Sequence, residues 1–175
     1  MHIGIFGLAG AGKTTTAKWL TCKNINYVAI SASQLIKEYG GVIEYEKLGV
    51  KSISSNQDSL VIAYSAFKKI HPNTLIELHS IIESEYDVVD IDVRVLQELN
   101  VDAAFFIVVD PHELGKRRRS DTTKKRKIVC DNELGILQSR AINVCRTALG
   151  SKLRVIDSVV AKAVIEEFIN SMPES

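Results

Sequence analysis

The sequence of 175 residues has few cysteines and no strong excess of either charge. Its three cysteines, Cys22, Cys130 and Cys145, are widely spaced and odd in number. This pattern fits neither a disulfide framework nor a zinc site, so we expect reduced intracellular thiols that pack as small buried hydrophobic residues. The formal net charge of +1 does not indicate a protein that binds nucleic acid or membranes over its whole surface.

Long hydrophobic stretches are also missing. No apolar run approaches the roughly 20 residues that a membrane-spanning helix needs. The start, MHIGIFG, lacks the basic flank and the long apolar core of a signal peptide. We therefore expect a cytoplasmic protein with no membrane partner. The length fits one globular domain, so we expect residues 1–175 to fold as a single unit.

Short apolar runs alternate with longer amphipathic stretches along the chain. The apolar runs barely alternate with polar residues, which indicates strands buried on both faces. They cover residues 3–6, 27–30, 74–78, 103–109 and 153–156. Helical periodicity covers residues 13–20, 33–39, 59–70, 90–99, 131–149 and 158–169. This repeated order predicts a doubly wound α/β domain, whereas residues 40–57 show little clear periodicity.

A glycine-rich stretch follows the first predicted strand. Residues 7–14 read GLAGAGKT and match the spacing G-x-x-x-x-G-K-[ST], between a predicted strand and a predicted helix. Glycines let the backbone fold around an anion with its amides pointing inward, and the helix adds the positive end of its dipole. We therefore predict that Lys13 contacts the β- and γ-phosphates of ATP and that the Thr14 hydroxyl binds Mg²⁺. The predicted nucleotide-binding residues are Gly7, Ala9, Gly10, Ala11, Gly12, Lys13, Thr14 and Thr15.

Two carboxylates at predicted strand ends are candidates for completing the magnesium site. Glu77 lies near the end of TLIELH, and Asp110 ends FFIVVD. The carboxyl ends of parallel strands deliver side chains to the ligand crevice of such a sheet. We favour Glu77 as the metal-binding partner of Thr14, with a solvated carboxylate at a strand end as the alternative for either residue.

Residues 116–127 read KRRRSDTTKKRK, with eight basic residues and one acid. The segment closely follows a predicted strand end, which should place it beside the phosphate site. Phosphoryl transfer needs several cations around the transferring group, so we interpret about residues 116–127 as a lid that closes over bound substrates. A solvated face or a nucleic-acid patch is the alternative. The predicted catalytic residues, besides Lys13, are Arg117, Arg118, Arg126 and Arg140.

These segments together resemble the P-loop nucleoside monophosphate kinases, most closely the archaeal-type adenylate kinases and adenylate-kinase-like ATPases. GLAGAGKTT is similar to their phosphate loop, IELHS to their acid-x-His segment, and RRRSDTTKKR to their lid motif. The similarity runs from Ile3 to about Asp157. The resemblance implies a P-loop NTPase fold, with a five-stranded parallel sheet flanked by helices and a small lid. It also implies an acceptor-binding region at about residues 31–70 and transfer of the γ-phosphate of Mg-ATP to a nucleotide or similar small acceptor.

Two polar residues are candidates for the acceptor site. Ser31 follows the second predicted strand and offers a hydroxyl, although a serine that only caps a helix is the alternative. His79 would contact an acceptor phosphate or orient an attacking water. For His79 the alternative is a histidine that is hydrogen-bonded at a strand end.

The acceptor side departs from the family pattern. No arginine precedes Arg94, although these kinases place one where it grips the acceptor phosphate. Lys37, Lys47 or Lys51 would substitute without the bidentate fork of an arginine. The run after His79, IIESEYDVVDID, is acidic and would repel a phosphate unless it faces water. The missing early arginine and the excess of basic residues in the lid favour a second function class, an ATPase whose nucleotide-driven closure regulates a macromolecular partner.

Overall fold

The computed structural model describes residues 1–43, 50–84, 87–122 and 128–172. Within these ranges, strands and helices alternate along most of the chain. The strands are β1 (His2–Phe6), β2 (Val28–Ser31), β3 (Thr74–Leu78), β4 (Ile81–Glu83), β5 (Val88–Asp90), β6 (Ala103–Val108) and β7 (Leu153–Asp157). The helices are α1 (Lys13–Lys23), α2 (Ala32–Glu38), α3 (Val50–Ile70), α4 (Val93–Glu98), α5 (Pro111–Ser120), α6 (Asp131–Leu149) and α7 (Ala161–Asn170).

Five parallel strands form the central sheet in the order β2-β3-β1-β6-β7. β1 lies in the middle, where Ile3 is aligned with Leu75 of β3 on one side and with Ala103 of β6 on the other. Parallel neighbours must be joined by crossover connections, which here are helices that flank the sheet. The predicted doubly wound α/β fold with a five-stranded parallel sheet is therefore confirmed.

The apolar side chains of the inner strands form the centre of the core. Phe6, Phe105 and Phe106 are completely buried, and burial of each such side chain contributes about 1.5–3 kcal/mol. β7 differs because it lies at the edge of the sheet and exposes Arg154 and Val155. The prediction of strands buried on both faces therefore holds for the inner strands and is wrong for the two edge strands, β7 and β2, since β2 exposes Val28.

Helix α3 begins at Val50, well before the start that was predicted at residue 59. Its early turns contain serines and an asparagine, which are weak helix formers, so local propensity conceals them. Packing compensates, because Ile53 is buried and the buried Asn56 side chain is hydrogen-bonded to the backbone of Val42. The Asn56 amide donates to the Val42 carbonyl at 2.6 Å, and its oxygen accepts from the Val42 amide at 3.2 Å.

A short antiparallel hairpin, β4–β5, lies outside the central sheet and was not predicted. Its strands are aligned so that Ile82 faces Val89. The hydroxyl of Ser80, just before β4, donates a 2.8 Å hydrogen bond to the carbonyl of Ala141 in α6. The hairpin is therefore attached to α6 by a buried polar contact, and it contains most of the acidic run that follows His79.

The start of a helix is set by local capping where periodicity is ambiguous. Helix α6 matches its predicted bounds of 131–149. Helix α4 begins at Val93 instead of residue 90, because the Asp92 side chain accepts a 2.8 Å hydrogen bond from the Arg94 amide as its N-cap.

No helix in the described ranges combines the length and the apolar character that crossing a bilayer requires.

The three cysteines differ in exposure. Cys145 in α6 is buried, and burial raises the pKa of its thiol to about 12. Cys22 and Cys130 are exposed. The expectation of small buried hydrophobic residues is therefore correct for Cys145 and wrong for the other two, since Cys22 lies on the outer face of α1 and Cys130 precedes α6.

Candidate active site

The glycine-rich loop connects β1 to α1 at the carboxyl edge of the sheet. Gly7 has a φ of +150°, and a Cβ there would lie 3.0 Å from the Ala11 Cβ and 3.0 Å from the Ile107 carbonyl oxygen. Gly12 precedes the helix with a φ of +92°, in the left-handed region that side chains rarely adopt. Both positions therefore require glycine, which keeps the loop tight against β6.

Helix α1 presents its amino end to the loop. No side chain of the described residues caps this end, and the first helical hydrogen bond runs from the Thr16 amide to the Gly12 carbonyl. The amides of the first turn and the helix dipole together favour an anion at this point. Lys13 is buried, and its Nζ donates to the carbonyls of Gly7 at 2.7 Å and Leu8 at 3.2 Å. These carbonyls hold the lysine ammonium against the loop.

Thr14 and Glu77 meet beside the loop. The Thr14 Oγ1 donates a 2.5 Å hydrogen bond to the Glu77 Oε2. β3 places this carboxylate there because Glu77 is aligned with Ile5, two residues before the loop. Hydroxyl and carboxylate oxygens are suitable ligands for Mg²⁺, which usually keeps several waters and binds substrate phosphates. The two residues that were predicted to hold Mg²⁺ are thus adjacent, and their oxygens fit that ion.

Asp110, the other candidate carboxylate, has a structural role. Its Oδ1 accepts hydrogen bonds from the amides of His112 at 3.0 Å and Glu113 at 3.2 Å, so it caps α5. Pro111 follows as the first helical residue, where its missing amide hydrogen costs nothing. Glu77 is therefore the candidate carboxylate that contacts Thr14, whereas Asp110 caps a helix.

A cavity of about 390 Å³ opens beside the loop. Its walls come from the loop and first turn of α1, from the ends of β2 and β3, and from the end of α5. The lining residues are Ala9, Gly10, Gly12, Lys13, Thr14, Thr15, Ser31, Ser33, Glu77, His79, Arg117 and Asp121. Most of the predicted nucleotide-binding residues therefore share one cavity with the two predicted acceptor residues. The other two, Gly7 and Ala11, do not line the cavity and are buried.

Ser31 has two contacts in this arrangement. Its Oγ accepts a 3.1 Å hydrogen bond from the Gln34 amide and therefore caps α2. The same oxygen lies 3.1 Å from the Oγ of Ser33, and both serines line the cavity. Capping thus leaves the hydroxyl at the cavity wall, where it can still contact a bound molecule.

The predicted lid arginines are placed very differently. Arg117 lines the cavity, whereas Arg118 is buried. The Nη1 and Nη2 of Arg118 donate to the two carboxylate oxygens of Glu83 at 2.8 and 2.7 Å, and its Nε donates to the Ala9 carbonyl at 2.8 Å. Arg126 and the other basic residues of 124–127 lie outside the described residues.

Arg140 lies on α6 and contacts the hairpin. Its Nε donates to the Asp90 Oδ1 at 2.7 Å, and its Nη2 donates to the Val88 carbonyl at 3.0 Å. Arg140 does not line the cavity beside the loop, so the structure brings Arg117 to this cavity but not Arg118 or Arg140. Both side chains of the Arg140–Asp90 pair are nearly half exposed, so the pair contributes at most about 1 kcal/mol.

Glu83 is the residue of this region that sequence reasoning missed. The acidic run is expected to repel a phosphate acceptor, yet three of its members, Glu83, Asp90 and Asp92, pair with arginines. A signal was available in the run itself, because IIE and VVD each end a short apolar stretch with a carboxylate. The Arg118 side chain is 4% exposed and Glu83 17%, so removing one partner of this pair is costly.

Comparisons with known proteins agree with this arrangement. A family model described as AAA domain matches residues 6–135, which include the loop, Glu77 and the basic segment. The chain matches no curated protein.

Several solved kinases share the fold. Shikimate kinase from Acinetobacter baumannii has a TM-score of 0.65 at 13% identity, over 99% of this chain and 95% of that one. Deoxyadenosine kinase from M. mycoides has a TM-score of 0.57 at 16% identity, over 98% and 100%. Thymidylate kinase from Candida albicans has a TM-score of 0.57 at 13% identity, over 99% and 95%. At these identities the similarity establishes a common fold.

Proposed function

This chain belongs to the AAA domain family, and we propose that it is an ATP-dependent phosphotransferase. It would move the γ-phosphate of Mg-ATP to a nucleotide or a similar small acceptor. The observation that carries this proposal is the shared cavity, which is lined by the loop and Lys13, by the hydrogen-bonded pair Thr14 and Glu77, and by Ser31 and His79. A donor phosphate held at the loop would therefore lie next to the space for an acceptor.

Each residue has a defined part in the proposed reaction. The loop amides and the Lys13 ammonium would bind the β- and γ-phosphates and stabilise the charge that spreads over the transferring group. Thr14 and Glu77 would hold Mg²⁺, which neutralises phosphate charge when it is bound. Arg117 would add a positive charge from the cavity wall, and about residues 116–127, with Arg126, would close as a lid. Ser31 and His79 would orient the acceptor within a region of about residues 31–70.

The names of the similar kinases support a small acceptor. They are a deoxyadenosine kinase, a thymidylate kinase and a shikimate kinase, so the same architecture serves acceptors with and without a phosphate group. The closer assignment to adenylate-kinase-like enzymes is part of this proposal and depends on the acid-x-His segment and the lid motif.

A second candidate function is an adenylate-kinase-like ATPase whose nucleotide-driven closure regulates a macromolecular partner. One observation favours it. Two of the predicted catalytic arginines, Arg118 and Arg140, are held by carboxylates of the hairpin instead of lining the cavity. With fewer cations in the cavity, the phosphate group of an acceptor nucleotide would bind weakly. Water would then receive the γ-phosphate of ATP.

Product analysis distinguishes these candidates. The protein is incubated with Mg-ATP and, in separate reactions, with AMP, CMP, GMP, UMP, dTMP, deoxyadenosine or shikimate, and the products are separated by ion-exchange chromatography. A phosphorylated acceptor that disappears in Lys13→Ala supports the phosphotransferase. ADP and inorganic phosphate in equal amounts with every acceptor support the ATPase. A protein that forms no ADP under any condition contradicts both.

A further inference from the structure

We propose that Glu83 and Arg118 form a positioning pair that holds the phosphate-binding loop in its anion-binding shape. The proposal rests on the proposed function, because it concerns how the same loop receives a phosphate. In this role, Arg118 supports the loop and does not contact the transferring phosphate group. Glu83, which lies outside the loop motif, acts by holding Arg118 in place.

The contacts of Arg118 connect three separate segments. The residue belongs to α5, its guanidinium makes a two-pronged contact with Glu83 of β4, and its Nε donates to Ala9 at 2.8 Å. A bidentate arginine–carboxylate pair fixes the plane of the guanidinium as well as its position. Because both Nη atoms are held by Glu83, the Nε–H can point only in the direction set by that pair, toward the loop.

The contact with Ala9 orients a loop amide. Every peptide bond in the described residues is trans, so the carbonyl of Ala9 and the amide hydrogen of Gly10 point in opposite directions across one planar unit. Arg118, which does not line the cavity, holds this carbonyl, whereas Gly10 lines the cavity together with Ala9. The Gly10 N–H is thereby turned inward, which is the orientation that an anion requires. Without this restraint, the flexible glycine would let the peptide unit rotate.

Glu83 is itself held in place by the attachment of the hairpin. Ser80, just before β4, donates to the Ala141 carbonyl, and Arg140 donates to Asp90 and to the carbonyl of Val88, the residue of β5 that is aligned with Glu83. These contacts all reach α6, a helix of 19 residues that packs against the sheet. The carboxylate that fixes Arg118 is therefore supported by a rigid element, as a group that orients another side chain must be.

The same pair sets the direction of Arg117. Neighbouring residues of a helix point about 100° apart around its axis. Since Arg118 is buried against Glu83, the last turn of α5 has one rotation, in which Arg117 faces the cavity. The pair thus places a loop amide and a cavity arginine at once, while Arg118 itself does not line the cavity.

Calorimetric titration of the whole protein with inorganic pyrophosphate and with Mg-ATP tests this role. Glu83→Gln keeps the size of the side chain but removes the charge that holds Arg118. We expect its affinity for pyrophosphate to fall on the order of tenfold, the size of one lost hydrogen bond to a charged group. The matched control is Tyr64→Phe, which removes a buried 2.7 Å hydrogen bond to Thr74 far from the loop and should leave the affinity unchanged.

A second readout separates positioning from a general loss of stability. The chain has 10 glycines, so selective ¹⁵N-glycine labelling gives a simple amide spectrum. In Glu83→Gln we expect the Gly10 resonance to shift strongly, while Gly150, beside β7, stays in place. Glu83→Asp keeps the charge on a shorter side chain, so it should show smaller changes in the same direction, and it serves if Glu83→Gln does not fold.

The outcomes are distinct. Glu83→Gln with the affinity of the unaltered protein, or with a Gly10 resonance that does not move, overturns the positioning role and leaves the proposed function intact. Equal losses of affinity in Glu83→Gln and Tyr64→Phe also overturn it, because the effect would then follow stability alone. If the unaltered protein binds neither pyrophosphate nor Mg-ATP, the proposed function fails and the positioning role fails with it.

Discussion

The Oγ1 of Thr14 and the Oε2 of Glu77 lie 2.5 Å apart, although 63 positions separate the two residues along the chain. The contact joins the first turn of α1 to the end of β3, two elements that meet only because β3 is the sheet neighbour of β1. The hydrogen bond keeps these two oxygens together beside the loop. In the proposed Mg²⁺ site, neither side chain would have to move far to bind the ion.

Replacement of these two ligands should raise the Mg²⁺ requirement. In Thr14→Val and in Glu77→Gln, we expect the Mg²⁺ concentration for half-maximal ATP turnover to rise about tenfold, because one oxygen ligand or one negative charge is lost. The measurement is turnover against Mg²⁺ concentration at saturating ATP. Thr21→Val, on the exposed face of the same helix, is the control and should behave as the unaltered protein. An unchanged Mg²⁺ curve in both site variants would rule out this pair as the metal site.

Removal of the loop lysine should slow the chemical step. The Lys13 ammonium lies within the loop at 2.7 Å from the Gly7 carbonyl, so Lys13→Ala removes a cation that nothing else at that position replaces. We expect turnover of Mg-ATP to fall about 10²- to 10³-fold, the usual effect of losing one stabilising donor. Steady-state ADP formation measures it, with Lys18→Ala on the exposed side of α1 as the matched control. Equal rates in the two variants would contradict the assignment of the loop.

Arg117 and Arg119 provide a comparison within one helical turn. Arg117 lines the cavity, whereas Arg119 is exposed and does not line it. We expect Arg117→Ala to lower kcat about 10²-fold with little change in the KM for ATP, since the charge acts on the transferring group. Arg119→Ala should leave both constants unchanged. If the two variants lose activity equally, a diffuse basic surface explains the segment better than a catalytic arginine.

The thiols should react according to their burial. At about pH 8 we expect Ellman's reagent to modify Cys22 and Cys130 in the native protein and to reach Cys145 only after unfolding, because the thiolate is the reactive form. Mass spectrometry of the labelled peptides identifies the sites. Rapid native labelling of Cys145 would contradict its burial in α6.

The raised pKa of Cys145 also predicts a pH effect on stability. Folding keeps the proton on this thiol to about pH 12, whereas the unfolded chain releases it near pH 9. The folded state therefore binds more protons between these values, and its stability should fall as the pH rises through that window. Urea unfolding at pH 8 and pH 10 measures the change. Cys145→Ala should show a smaller loss over the same interval, and an equal loss would contradict this origin.

The strands of the central sheet were predictable because most of their residues are apolar, and residues 103–109 form a continuous apolar run. The hairpin β4–β5 was not, because strands of three residues are too short to display a period of two. The early turns of α3 were hidden for a different reason. Their serines and Asn56 have low helix propensity, and only tertiary packing makes them helical.

In the candidate site, too, the features set by local sequence could be predicted and those set by tertiary contacts could not. The loop could be identified from local spacing, and Glu77 could be placed beside it by the rule for parallel strand ends. The contact of Arg118 with Ala9 could not, since it spans 109 positions and depends on the rotation of α5 about its axis. A rotation of about 100° decides whether Arg117 or Arg118 enters the cavity, and composition alone does not carry that information.

The central place of β1 has a consequence for how the protein acquires its activity. During synthesis, β1 must wait for residues 74–78 and 103–106 before both of its edges are paired. Before residues 103–106 are synthesised, β1 cannot pair on both edges, so the loop that follows it is not held in place. We therefore expect the phosphate site to form late in folding, because it depends on non-local strand pairing, which is slow. Nucleotide should therefore protect only fully assembled molecules from proteolysis, which makes such protection a direct assay of productive folding.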